Sequence, residues 1–414
     1  MNFSLVTIGR RCFLKLSALG LATALIGGPA VGDPPKSTAE PADPMKKMLA
    51  QRRDEPLSPE AKQVSEKLKA ELTAGTEARL MLDAILSGNM MGPGDGWFSK
   101  AVSQSRYRWA DVSAKYDLNK NKKIERSEFP GSDTDFARLD QNGDGTITDT
   151  DMDWKLDSLA PTAANRFYGE ADRDGDGKIS REEFTAMFDQ WDKASDGFLS
   201  LDDLNRNLSP PGRRRSSMPT KNQLVLGLAR QEVGSHQPGP ALNEQAPEFQ
   251  LAQVGTGKIV RLADLVGKKP VVLVFGNITC GPFRNQGGNI EKLYRRYHDR
   301  AEFLMVYVRE AHPTNGWSME SNDKVGVSLA QPTTLEARTG VAARCQQMLK
   351  LSMPVVVDTL EDTVGARYSG MPSRLYVIDK SGKVAFKSGR GPFGFKPAEC
   401  EQALILNLAE SSKP

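Results

Sequence analysis

The run Val271 to Phe275, closed by Gly276 and followed by Ile290, Leu293, Tyr294 and Tyr297 at i, i+3, i+4 and i+7, admits few folds. An unbroken β-branched and apolar strand is one covered on both faces, as in parallel sheets. A second apolar run, Phe303 to Val308, supplies its parallel neighbour through a right-handed crossover. Cys280 falls in the strand-to-helix turn, at the sheet edge where open α/β folds place their sites. The free N–H groups and positive dipole end of a helix start favour an anion, so this placement predicts an exposed thiol of lowered pKa. Pro282 suits the first turn, where its missing N–H costs nothing. Glu310 and His312 lie just past the second strand on the same edge. Glu310 is expected to orient His312, and His312 to deprotonate Cys280 or protonate a leaving group. A histidine with only structural hydrogen bonds and an inert buried thiol are the plainer alternatives.

The tetrad Cys280-Gly281-Pro282-Phe283 resembles the Cys-Gly-Pro-Cys site of thioredoxins, with Phe283 in place of the second cysteine. Phe275 to Phe283 (FGNITCGPF), followed by Val306 to Trp317 with its Glu-Ala-His, resembles the iodothyronine deiodinase family. The similarity extends to Arg374–Glu399 and covers Ala246 to Leu408. It implies a thioredoxin fold, puts Cys280 at that family's selenocysteine position, and places Glu310, His312 and Trp317 on its second motif. Pro372, ahead of a hairpin turned at Lys380-Ser381-Gly382, resembles the cis-proline that faces the cysteine in thioredoxin folds. Trp317 and Phe283 are the expected substrate-binding side chains, with a core position the alternative for Trp317. Two features depart from the family: sulfur replaces selenium, and the chain's histidines, His236, His298 and His312, leave none beyond the tryptophan. A peroxiredoxin-like site fits less well, because Thr279 adjoins the cysteine instead of preceding it by two or three residues. Cys345, in a helix-like stretch from Arg338 to Leu349, is expected either to resolve an oxidised Cys280 or to fill the core, and Cys400 to be structural.

A second chemistry precedes this one. A large hard cation takes six to eight oxygens, and the twelve-residue EF-hand loop supplies them from positions 1, 3, 5, 7, 9 and 12 with glycine at 6. Asp172, Asp174, Asp176, Lys178 through its carbonyl, Ser180 and Glu183, with Gly177 at the turn, match throughout. Asp140, Asn142, Asp144, Thr146, Thr148 and Asp151 match with a shorter acid at position 12. Asp117, Asn119, Asn121, Lys123, Glu125 and Glu128 match except that Lys122 replaces the glycine. Asp192, Asp196, Phe198, Ser200 and Asp203 form a degenerate fourth loop with Ala194 at position 3. The apolar eighth positions, Ile124, Ile147, Ile179 and Leu199, predict pairing of loop one with two and of three with four. Calcium is the expected cofactor.

The sequence is thus expected to be multidomain, with an all-α EF-hand region and a C-terminal α/β thioredoxin-like domain, a mixed sheet flanked by helices. The expected divisions are a signal peptide over 1–32, a tether over 33–56, a helical segment over 57–107 broken near Gly75 and again at Met90–Phe98, EF-hand loops over 108–207, a linker over 208–244, and the redox domain over 245–410. Arg10-Arg11 and the following apolar stretch resemble a twin-arginine export signal ending in Ala30-Val31-Gly32, which predicts an exported protein of the periplasm or cell envelope. Lys15 interrupts the apolar run, so no stable membrane span is expected after cleavage. Residues 1–32 hold three of the 55 basic side chains and none of the 52 acidic ones; the remainder is formally neutral and no nucleic-acid footprint is left, the Arg213–Arg215 triplet reading as solvated linker. Cys280, Cys345 and Cys400 are an odd number outside that segment, which excludes a closed disulfide framework. The expected partners are an unidentified thiol reductant and a small-molecule or disulfide substrate.

Overall fold

The computed structural model describes residues 51–89, 102–154, 163–193, 195–208 and 219–411. The export signal, most of the tether, the Met90–Phe98 break, Ala194 and the arginine triplet lie outside them. Helices α1 (Pro59–Glu71) and α2 (Glu77–Leu86) begin at Ser58 and Thr76, whose hydroxyls cap them, and Gly75 turns between them at φ +81°. Strand β1 (Gln104–Ser105) and helix α3 (Trp109–Tyr116) lead into the first acidic loop. Strands β2 (Ile124–Glu125) and β3 (Thr146–Ile147) flank helix α4 (Asp133–Leu139) and pair antiparallel, Ile124 against Ile147, so loops one and two join as their eighth positions predict. Helices α5 (Ala163–Ala171), α6 (Arg181–Trp191) and α7 (Leu201–Leu208) hold the other two loops. Ile179 and Leu199 pack beside Ala171, Met187 and Trp191 in a small core, without a strand ladder among the described residues. Lys221–Ala229, inside the stretch expected to be linker, is a buried helix, α8, capped by Thr220. The linker expectation fails there because Leu224, Val225 and Leu228 complete a core with Leu68, Met81, Leu82 and Ile85 of the first two helices.

The remainder is the expected α/β domain. Strands β4 (Gln250–Gln253), β5 (Ile259–Arg261), β6 (Val271–Gly276), β7 (Glu302–Tyr307), β8 (Val355–Val357), β9 (Arg374–Ile378) and β10 (Val384–Lys387) join β1 in one sheet of order β1-β10-β9-β6-β7-β8-β4-β5. β6, β7 and β8 run parallel, while β9 returns antiparallel on the other side of β6. This central sheet, mixed and flanked by helices, has the thioredoxin-like form. Every residue of β6 is buried, as its unbroken apolar run requires, and each such side chain contributes about 1.5–3 kcal/mol.

The helix expected to run from Cys280 through Tyr297 is two helices, α9 (Gly281–Arg284) and α10 (Gly287–Tyr297). The second of them starts at a tertiary contact. A Cβ on Gly287 would lie 2.8 Å from the Asp176 carbonyl, so the glycine pair Gly287-Gly288 admits the third acidic loop against the helix start. Helices α11 (Leu335–Met348) and α12 (Pro397–Glu410) complete the layers. The first two loops dock on this domain through Asp135 with Arg300 (2.6 Å) and Arg138 with Glu401 (2.7 Å).

Candidate active site

Cys280 is the residue from which α9 starts, and its own N–H donates to Asn277 Oδ1 at 3.1 Å. The same oxygen accepts Ala311 N–H at 3.2 Å, while Asn277 Nδ2 donates to the Pro372 carbonyl at 3.0 Å. One buried amide therefore ties the cysteine turn, the turn after β7 and the proline loop together. The Met371–Pro372 bond is cis, as the resemblance implies. Cys280, His312, Trp317, Pro372, Ala311, Met81, Glu232, Val233 and Pro392 line one cavity of about 40 Å³.

His312 is held in a defined tautomer. Its Nδ1 meets the Trp317 carbonyl at 3.0 Å; a carbonyl only accepts, so Nδ1 carries the proton and Nε2 keeps its lone pair. The imidazole stands edge-on to the Trp317 ring, centroids 4.5 Å apart. Burial lowers its pKa to about 4, opposed by the Trp317 carbonyl, so the ring is neutral near pH 7.

Glu310 does not orient the imidazole as expected. Fully buried, it accepts Thr279 N–H at 3.1 Å and Thr279 Oγ1–H at 2.7 Å on Oε2, and Tyr307 O–H at 2.5 Å on Oε1. Thr279 Oγ1 in turn accepts the backbone N–H of His312 at 3.1 Å. Glu310 thus holds the backbone on both sides of the site, because its carboxylate is taken up by Thr279 and Tyr307 while the imidazole is held by the Trp317 carbonyl. Burial raises its pKa, against the hydrogen bonds from Tyr307 and Thr279.

The expectation of an exposed, acidified thiol is also corrected. Cys280 is 1% exposed, and burial raises its pKa to about 11 against the Phe283 N–H and the Arg284 guanidinium. A four-residue helix carries little of the dipole on which the expectation relied. Phe283, expected at the substrate, is fully buried beneath β6 and packs edge-on to Phe395 at 5.5 Å; it belongs to the core. Cys345 lies buried on α11 as a free thiol with pKa pushed far up by burial, and Cys400 is buried on α12. Trp317 both lines the cavity and packs against the helical core.

Residues not singled out from sequence complete the site. Asn277 is the hub described above. Arg284, 4% exposed, donates to the Ile278 carbonyl and to Asn322 Oδ1 at 2.9 Å, a buried cation behind the thiol. Met81 and the Glu77 latch come from α2: Glu77 Oε2 pairs with Arg374 (2.8 Å) and Arg390 (3.0 Å), clamping that helix over the cavity. Glycine-flanked Asn277 and the basic residue one turn after Cys280 were visible signals; the helix on top was not.

Of the acidic loops, Asp172, Asp174 and Asp176 bring carboxylate oxygens within 4.8 Å of one another. Asp172 is 7% exposed and its Oδ1 is buried without a hydrogen-bond partner, an atom shaped for a cation. Burial and the neighbouring carboxylates raise its pKa to about 6, against the Gly177 N–H. In the first loop Lys122 takes the glycine's conformation at φ +66° and its N–H reaches Asp117 Oδ2 at 2.9 Å. Asp140 accepts the N–H groups of Gly143, Asp144 and Gly145 in the second, and Asp192 those of Asp196 and Gly197 in the fourth.

Comparisons with known proteins agree with these two parts. The iodothyronine deiodinase family model matches residues 219–407, and an EF-hand model matches 169–188. Type I iodothyronine deiodinase of Xenopus laevis is 35% identical over 135 residues, 33% of this chain and 51% of that protein. Thyroxine 5-deiodinase of Gallus gallus is 36% identical over 155 residues, 37% of this chain and 58% of that protein. The matched part thus spans about half the length of these relatives. Among solved structures, a thiol:disulfide interchange protein of Chlorobium tepidum aligns over 41% of this chain and 98% of its own, at 24% identity and a TM-score of 0.30.

Proposed function

With residues 219–407 a deiodinase-like domain and 169–188 an EF hand, we propose that the chain is a calcium-binding thiol oxidoreductase in which Cys280 is the nucleophile toward a soft electrophile. One observation carries the reading: Cys280, neutral His312 and Pro372 share a single cavity, with the imidazole's Nδ1 tied to a backbone carbonyl. That arrangement suits a thiol and neutral imidazole, in which Nε2 takes the proton as sulfur attacks.

Toward a disulfide, the Cys280 thiol gives its proton to His312 and bonds one sulfur of R–S–S–R′. The S–S bond breaks, and R′–S⁻ leaves as R′–SH with that proton. An external thiol R″–SH then exchanges onto the mixed disulfide, releasing R–S–S–R″ and restoring the Cys280 thiol. Toward an iodinated aromatic, which the relatives' names suggest, Ar–I and the thiol give Ar–H and a Cys280–S–I bond. Two external thiols then yield the free thiol, a disulfide and HI. Glu310 and Thr279 position the two halves of the site, and Trp317 supplies an aromatic wall. With Cys345 as resolving partner, the second step would instead form a Cys280–Cys345 disulfide with release of R–SH or HI, and two external thiols would then reduce it to the two free thiols.

Calcium would be held by Asp172, Asp174, Asp176, the Lys178 carbonyl, Ser180 and Glu183, where it supplies charge that ties the loop's carboxylates together. The loops at 117 and 140 extend the same proposal, and the loop at 192 is the weakest member. Export to the periplasm or envelope by the twin-arginine-like segment belongs to this reading, and periplasmic recovery of a fusion to residues 1–40 tests it. Among the described residues no helix is long and apolar enough to cross a membrane.

The decisive assay is thiol-driven turnover of an aromatic disulfide and of an iodinated phenol by the wild type and Cys280→Ala. Loss of turnover in the variant supports the proposal. Equal rates would favour a calcium-binding scaffold without catalysis, a reading to which the small cavity and raised thiol pKa lend weight.

A further inference from the structure

The third acidic loop faces the redox domain. Gly288 N–H donates to the Gly177 carbonyl at 3.0 Å, and Lys178 Nζ donates to the Leu349 carbonyl at 2.7 Å. Gly175, at φ +70°, lies against Val325 and Met348. From the residue after Leu349 a second ammonium reaches into the loop: Lys350 Nζ is 2.5 Å from Asp176 Oδ2 and 3.9 Å from Asp174 Oδ2. These carboxylates occupy positions 5 and 3 of the loop, while Asp172, at position 1, keeps a buried oxygen without a partner.

We propose that Lys350 is a tethered competitor for this calcium site, a cation of the redox domain that holds Asp176 until calcium expels it. The inference rests on the reading of 172–183 as a calcium loop. A calcium ion stands about 2.3–2.6 Å from its ligand oxygens, so an ion on Asp176 would lie within about 5 Å of the ammonium. A divalent charge at that range repels the lysine by more than an exposed ion pair returns, and the lysine side chain, 62% exposed, is free to swing into water. Lys350 is two residues beyond the helix that carries Cys345, and the loop abuts Gly287-Gly288, one turn past Arg284. Calcium occupancy and the packing behind Cys280 are therefore linked, and linkage is reciprocal. The redox domain sets the affinity of the loop, and the loop's occupant sets what the redox domain packs against.

The test uses the full chain and calcium alone, with acetylation of Lys350 by an N-hydroxysuccinimide ester followed by peptide mass spectrometry and binding heat by calorimetry. Labelling of Lys350 is expected to rise severalfold across the calcium range that produces heat, while exposed Lys383 stays constant. Asp172→Asn should abolish that rise, and Lys350→Met, an exposed change that leaves the core untouched, should tighten Kd about 1.5- to fivefold, the worth of a surface ion pair. Calcium heat from this loop with unchanged Lys350 labelling, and an unchanged Kd in Lys350→Met, overturns the competitor role and leaves the calcium site standing. A calcium response identical in the wild type and Asp172→Asn overturns the calcium reading of the loop and this inference together.

Discussion

At the residue scale, the site is governed by what burial does to each titratable group. With its thiol raised to about 11, Cys280 should be alkylated slowly at neutral pH in a Cys345→Ala, Cys400→Ala background. The rate is expected to climb with pH through the region of about 9 to 11, above the ordinary thiol value near 8.5. An inflection at or below pH 7 would refute the buried thiol. The sign for stability follows: a raised folded-state pKa stabilises below the unfolded value, and that contribution fades as pH rises from about 8.5 toward 11. Glu310→Ala should cost about 2–4 kcal/mol, because Thr279 N–H and the Tyr307 hydroxyl lose a buried partner. Thermal unfolding measures this, and an unchanged Tm would show that water replaces the carboxylate.

At the element scale, α2 decides access. The cavity of about 40 Å³ has room for little more than a water, so a ring or disulfide must displace Met81 and neighbouring side chains. Glu77 holds that helix down; burial alone would raise its pKa, but Arg390 and Arg374 bring it to about 2. Such a depressed carboxylate contributes stability above its unfolded pKa, near 4.3, and loses it as pH falls toward 2, on the order of 3 kcal/mol in all. Glu77→Gln is therefore expected to lower Tm and to accelerate Cys280 alkylation severalfold. A slower or unchanged alkylation rate would show that α2 is no barrier. The glycine start of α10 is the other decision at this scale: a side chain at position 287 would strike the Asp176 carbonyl of the third acidic loop.

At the scale of the whole molecule, the acidic loops and the redox domain share interfaces on two sides, the Asp135–Arg300 and Arg138–Glu401 pairs on one and the Gly177–Gly288 contact on the other. Ligand binding to the folded state alone stabilises it, by about 2.7 kcal/mol at a hundredfold excess over Kd. Calcium is thus expected to raise the Tm of the redox domain itself, read from Trp317 in a variant whose other four tryptophans are replaced by Phe, and a chelator to reverse it. A Trp317 transition that ignores calcium while the EF-hand transition moves would show the two parts to be independent.

The sequence by itself determined what depends on local pattern. The buried parallel strands follow from unbroken apolar runs, the loop geometry from acidic side chains and glycines at set spacing, the hairpin from Lys380-Ser381-Gly382, and the cysteine turn from a strand that ends at Gly276. Even Lys122 in a glycine's place left the first loop legible, since the other ligands keep their register. What only the tertiary structure decided depends on residues far apart in the chain. Asn277 became a hub because three separate turns meet at it, Phe283 turned into the core because Gly276 leaves room for its ring, and a supposed linker became a helix because Leu68 and Met81 needed covering. The acidity of Cys280 belongs to the same group: helix position favours the thiolate, but α2 and the Trp317 loop exclude water, and desolvation outweighs the end of a four-residue helix.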